Sequence, residues 1–149
     1  MKQINKYICE RLHINKDIKN YNYHPKTNGE LIKIVDKLIK ERGNDADLND
    51  IDTSEITDMD GIFEGSNFNG DISNWDVSNV EEMIHTFDDS KFNGDISNWD
   101  VSNVKQMQCM FEHSKFNGDI STWDVSNVNY MSYMFFRSPL EKNPPKWYK

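Results

Sequence analysis

The chain has 149 residues, 12% of them aromatic, with a net charge of −8 and a mean hydropathy of −0.82. That length holds one cored domain and not two. The acidic balance excludes a protein that binds nucleic acid by neutralising phosphates, and no apolar run approaches the roughly 18 residues of a membrane span. The opening Met1-Lys2-Gln3-Ile4-Asn5-Lys6 lacks the apolar stretch of a secretory leader, so a cytoplasmic location is expected. Two cysteines, Cys9 and Cys109, make neither a disulfide framework nor a metal quartet, and both are expected to stay reduced.

In chain order, residues 1–43 read as an N-terminal helical cap. Ile4, Tyr7, Ile8 and Leu12 form one helical stripe, and residues 14–23 hold an extended stretch closed by His24-Pro25. Thr27 with Glu30 offers a capping box to a helix striped by Leu31, Ile34, Val35, Leu38 and Ile39 and ended by Gly43. Forty residues rarely fold alone, so this cap is expected to dock on the segment that begins at residue 44.

Residues 44–139 are repetitive. The block F-N-G-D-I-S-N-W-D-V-S-N-V stands at residues 68–80, recurs unchanged at 92–104, and recurs at 116–128 with Thr122 for Asn. The period is 24 residues, and a degenerate copy begins near Asn44, with Met59 and Phe63 at the places of Met83 and Phe87. Within a unit, Trp75-x-Val77 alternates like a short strand. Val80, Met83 and Phe87 then share one face of about two helical turns, with Ser78 as N-cap and Glu81 completing a capping box. Asn69-Gly70 marks the returning turn. The tail, residues 140–149, has Pro144 and Pro145, cannot extend a helix, and offers Trp147 to cover the last repeat.

The opening Ile-x-x-Trp-x-Val-x-x-Val fits a leucine-rich template, and the period lies within that class's range. The block with its following M-x-x-x-F resembles BspA-like leucine-rich repeat proteins over residues 47–138, in a short version without a leader such as phages and mobile elements carry. The resemblance implies a solenoid of parallel strands used for protein binding. The expected fold is therefore α/β: a right-handed leucine-rich-repeat-type solenoid of short parallel strands and short helices, capped by the N-terminal helical segment.

Charge divides along the same boundaries. Residues 1–43 carry ten Lys/Arg against five Asp/Glu, residues 44–139 four against nineteen, and residues 140–149 three against one. An acidic repeat surface suits a basic partner. The flanks of Trp75 and Val77 place Asp52, Asp76, Asp100 and Asp124 in one exposed column, with Asn74 and Asn98 beside it. Like charges on adjacent strands repel by roughly 1–3 kcal/mol per pair, a cost that a cationic partner relieves. Asx turns to the following Ser and Asn relieve it equally. Asp47, Asp71, Asp95 and Asp119 read as turn caps, and Ser54, Ser78, Ser102 and Ser126 as helix N-caps.

Two columns vary between copies: Gly61, His85, Cys109, Tyr133 and Gly65, Asp89, His113, Arg137. His85, Cys109 and His113 fall on the outer face, but their spacing matches no zinc template, and no metal or cofactor is expected. No phosphate loop, H-E-x-x-H or Ser/His/Asp pattern occurs, and no base–nucleophile pair can be assembled for a hydrolase. The expected function is a non-enzymatic interaction module, monomeric, without nucleic-acid or membrane binding of its own. Its partner is a protein with a basic surface. The second reading is a phage-type inhibitor that mimics nucleic acid in the groove of a host defence nuclease.

Overall fold

A computed structural model describes residues 20–149. The Ile4-to-Leu12 stripe, Cys9, His13 and most of the expected extended stretch lie outside the described residues. The expected second helix is present as α1, Asn28–Arg42. Thr27 caps it, its Oγ1 accepting from the Glu30 N–H at 3.2 Å, while the Glu30 carboxylate accepts from the Lys26 N–H at 2.6 Å. Gly43, at φ 92°, ends it by donating its N–H to the Ile39 carbonyl. Leu31, Val35 and Leu38 are fully buried, and Ile34 and Ile39 pack partly against the same core.

The repeats do not form an α/β solenoid of the leucine-rich-repeat type. Among the described residues α1 is the one α-helix, Pro139–Glu141 is a single 3-10 turn, and no sheet forms. Strand pairing is limited to isolated parallel bridges, among them Asp58 to Glu82, Glu82 to Gln106 and Gln106 to Tyr130. What stacks, 24 residues apart, is a succession of turns.

Two local causes replace the expected strand and helix. The first is the pair of pentads D-I-S-N-W and D-V-S-N-V. Asp71 and Asp76 each accept from the N–H two residues on, and the Trp75 and Val80 N–H groups close four-residue turns onto the Ile72 and Val77 carbonyls at 3.1 and 3.0 Å. Each pentad is thus an Asx-capped turn. Trp75 and Val77 still point inward and Asp76 outward, but without strand geometry.

The second cause is left-handed backbone where the helix was expected. His85, Asp89, Cys109, His113, Tyr133 and Arg137 all have φ between 51° and 57°, and Gly61 and Gly65 hold the same places in the first unit. Two such residues per unit break any α-helical run. Alternate N–H groups reach the next unit instead: Met83, His85, Phe87 and Asp89 donate to the carbonyls of Gln106, Gln108, Met110 and Glu112 at 2.8–3.1 Å. Asp88 and Ser90 close local turns onto His85 and Phe87.

The core is three aromatic columns. Phe63, Phe87, Phe111 and Phe135 stack with centroids 5.4–5.9 Å apart, and Phe68, Phe92 and Phe116 at 6.2 and 6.3 Å. The tryptophan column joins Trp75 to Trp99 and Trp123 to Trp147, each at 6.5 Å. Each indole Nε1 donates to a carbonyl 27 residues earlier: Trp75 to Leu48, Trp99 to Ile72, Trp123 to Ile96 and Trp147 to Ile120. Trp147 therefore does more than cover the last repeat; it occupies the same column 24 residues after Trp123. The glycine of F-N-G serves close approach, since a Cβ on Gly94 would meet the Phe92 ring at 2.7 Å.

Two measurements test this packing. Trp99→Ala removes a side chain that is 4% exposed and its bond to the Ile72 carbonyl; it should cost about 3–5 kcal/mol in denaturant melts. A loss below about 1 kcal/mol would place the column outside the core. Asp89, exposed at φ 51°, should behave as a left-handed site. Asp89→Gly should raise stability by about 0.5–1 kcal/mol and Asp89→Val lower it by about 1–2, with equal effects of the two counting against the assigned conformation.

Candidate functional site

The column Asp52, Asp76, Asp100 and Asp124 runs along one side of the stack, exposed except for the half-buried Asp52. In each the Oδ1 atom accepts from the N–H two residues on, in Ser54, Ser78, Ser102 and Ser126, at 3.0–3.1 Å. The hydroxyls of Ser54, Ser78 and Ser102 donate to the same oxygen at 2.6 Å. The serines are thus carboxylate donors in turns, not helix N-caps. The second column repeats the device, with Ser73, Ser97 and Ser121 donating their N–H groups to Asp71, Asp95 and Asp119 at 2.9 Å and Asn49 to Asp47 at 2.8 Å.

These bonds decide the electrostatics. The Ser102 hydroxyl, then its N–H, hold Asp100 below its ordinary value, and repulsion from Asp124 is a lesser opposing effect. The Ser126 hydroxyl and N–H do the same for Asp124. At Asp52 partial burial pushes upward, but the Ser54 donors and His24 outweigh it. At Asp100 the local Ser102 donors therefore outweigh the like charge of its column neighbour Asp124.

Asn74 and Asn98 are exposed beside the column, and the Asn74 N–H donates to the Asn49 side chain at 2.8 Å. Apolar patterning gave no hint of two asparagine ladders. Asn79, Asn103 and Asn127 donate to the carbonyls of Ser54, Ser78 and Ser102 at 2.6–2.7 Å. Asn69 and Asn93 accept from the N–H of Asn93 and Asn117 at 2.8 Å. Their signal was invariance in three copies at positions outside the apolar pattern.

Only one oxygen of each column aspartate is tied into its turn. At the first rung the other is taken: Asp52 Oδ2 lies 3.3 Å from His24 Nδ1. Nearby, Lys26 pairs with Glu55, and Arg42 grips Asp50 with two bonds of 2.9 Å while Asn22 adds a third at 2.8 Å. Basic groups of the cap thus already sit on the acidic first unit. Among the described residues, none takes the second oxygen of Asp76, Asp100 or Asp124.

On the variable side of the stack, successive units bring a different set together. His85 Nδ1 lies 2.8 Å from Asp88 Oδ2, and His113 Nδ1 lies 3.7 Å from Asp88 Oδ1 and 3.8 Å from Glu112 Oε1. Ligating atoms of His85, Cys109 and Glu112 lie within 4.8 Å of one another, as do those of Asp88, Glu112 and His113. Burial first, then the Glu112 and Asp88 carboxylates, push the Cys109 thiol up to about 12. Cys109 is a free thiol.

The Arg42–Asp50 pair gives a pH test of cap docking. The Arg42 bond, with help from Asn22, lowers Asp50 from 3.8 to about 2 against the cost of its burial. A depressed carboxylate contributes stability above its unfolded value and loses it as pH falls through its folded one. The shift sets a ceiling of about 2.4 kcal/mol, and solvent screening leaves roughly 1 kcal/mol. Asp50→Asn should therefore cost about 1 kcal/mol in urea melts at pH 7 and almost nothing near pH 2. An equal loss at both values would show that charge does not seat the cap.

No helix among the described residues is long and apolar enough to cross a membrane. No curated protein and no solved structure matches the chain. A family model described as "Mycoplasma protein of unknown function, DUF285" matches residues 33–147, from within α1 through the tryptophan that closes the third column. The chain belongs to that family.

Proposed function

We propose that this protein is a non-enzymatic binding module whose acidic repeat face receives a protein partner with a basic surface. The observation that carries the reading is the half-occupied carboxylate column. One oxygen of Asp76, Asp100 and Asp124 is fixed by a turn, which orients the other without satisfying it. The His24 contact at Asp52 supplies an internal example of a basic group in that position. Asn74 and Asn98, exposed beside the column, add neutral donors and acceptors. The likeness to BspA-like repeat proteins points toward protein binding as well. Residues 44–139 carry nineteen Asp/Glu against four Lys/Arg, a field that speeds encounter with a cationic surface.

A second reading rests on the same regularity: carboxylates at a fixed repeat stand in for phosphates, and the protein occupies the basic groove of a host defence nuclease. Capture from bacterial lysate on the immobilised chain separates the two, because a nucleic-acid enzyme favours the mimic and any other basic protein the general module. The captured partner is then measured against wild type and Asp76→Asn/Asp100→Asn from about 50 to 300 mM salt. Affinity should fall about tenfold in the double variant, chiefly in the on-rate, and should weaken with salt in wild type. Because the Ser102 turn stabilises the Asp100 charge, the variant should also be slightly less stable, not more. Equal affinities indifferent to salt would move the binding face elsewhere.

A further inference from the structure

The variable columns carry the second chemistry of the chain. In the first unit they hold Gly61, Glu64 and Gly65, and in the last Tyr133, Phe136 and Arg137. Only the two middle units place ligating nitrogen or sulfur there: His85 beside Asp88 in one, Cys109 and His113 beside Glu112 in the next. The backbone does not need the His85, Cys109 and His113 side chains, since glycine suffices at the same left-handed positions in the first unit. The cluster is therefore a local addition to the repeat.

We propose that His85, Cys109 and Glu112 form a binding site for a zinc-class divalent ion, flanked by Asp88 and His113. Ligating atoms of the three lie within 4.8 Å of one another. On a tetrahedral zinc such atoms sit about 3.3–3.8 Å apart, as its bond lengths near 2.0–2.3 Å require, so small side-chain rotations close the set. Asp88, 2.8 Å from His85 Nδ1, holds the imidazole as carboxylates hold metal-ligating histidines. Water takes the fourth position.

The donor set also selects the ion. A thiolate, an imidazole and one carboxylate suit zinc, cobalt and similar borderline ions, whereas magnesium and calcium require oxygen throughout. Charge agrees. Asp88 and Glu112 are only 16% and 18% exposed and face a thiol and two imidazoles, a field that a divalent cation neutralises. The acidic trio Asp58, Asp60 and Glu82 lacks nitrogen and sulfur donors and is not part of this site.

The test is cobalt and zinc titration of the full chain. Cys9→Ser leaves Cys109 as the sole thiol, and that variant and wild type should show the same signal. One cobalt per chain should bind, giving the near-ultraviolet thiolate-to-cobalt band and the visible bands of tetrahedral cobalt, and zinc should displace it. Cys109→Ser should abolish the thiolate band. Glu112→Gln should weaken zinc at least about tenfold in competition with a chromophoric chelator, and Cys109→Gly at least about 100-fold, beyond the usual loss of an outer partner. His85→Gly and Cys109→Gly restore the first unit's own residue at a left-handed position, so unchanged thermal melting of the metal-free chain separates lost binding from lost fold. Absence of the thiolate band at stoichiometric cobalt, or zinc affinity unchanged in folded Cys109→Gly, overturns the site.

Discussion

Along Met83, His85, Phe87 and Asp89, the hydrogen bonds between units run one way, from an N–H in one unit to a carbonyl in the next. An edge bonded in this sense has unlike ends, whereas elsewhere Lys91 and Lys105 donate backward to Ser66 and Glu81. Along this edge the first unit offers unpaired carbonyls and the last offers unpaired N–H groups, and each end needs the opposite chemistry. The chain supplies both. At the start, Asn28 at the head of α1 donates to the Asp58 and Asp60 carbonyls at 3.4 and 3.0 Å. At the finish, the Glu141 carboxylate accepts from the Arg137 N–H at 3.2 Å. An amide caps the acceptor end and a carboxylate the donor end, and apolar burial of α1 and Trp147 completes both.

The same register governs the core. Because every unit advances by 24 residues, identical rings fall on identical rings, and the phenylalanine planes stay nearly parallel, tilted by only 1–6° within the longest column. The indole bonds lock that register, since each reaches back 27 residues to a carbonyl of the previous unit. A slip of one residue would break the rings, the indole bonds and the asparagine ladders together. Cooperativity along the stack arises from this shared dependence.

The repeat, its period, its inward residues and α1 with its cap were legible because each rests on a pattern local in sequence or exactly recurrent. The secondary structure was not. Apolar spacing of three and seven residues fits two turns of helix and fits this chain of turns equally, for both return a side chain to the same side. What separates them is the sign of φ at two positions per unit, and the sequence hides that sign behind His85, Cys109 and Tyr133. The first unit carried the clue: Gly61 and Gly65 stand in those columns, as glycine does where backbone is left-handed. The D-x-S pairs carried another, since Asx turns in tandem leave no room for a strand. The metal-type cluster escaped because linear templates assume ligands on one loop or helix. Here stacking makes residues 24 apart into neighbours, so His85 and Cys109 approach each other as closely as residues within one turn.

This arrangement divides labour between columns. Positions identical in the three close copies, such as the Asx aspartates, the ladder asparagines and the rings, bond unit to unit or close a turn within one. Positions that differ are the left-handed corners, whose backbone bonds do not depend on the side chain. A corner residue can therefore change from Gly to His to Cys while its N–H keeps the same acceptor in the following unit, as Gly61 to Ile84, His85 to Gln108 and Cys109 to Ser132 show. The aspartate column sits among the constant positions, and only its outward oxygen is available for recognition. The corner cluster sits among the variable ones, where the whole side chain is available. Two surfaces of one stack thus answer to different constraints, and altering the chemistry of the corner leaves the acidic face and its turns in place.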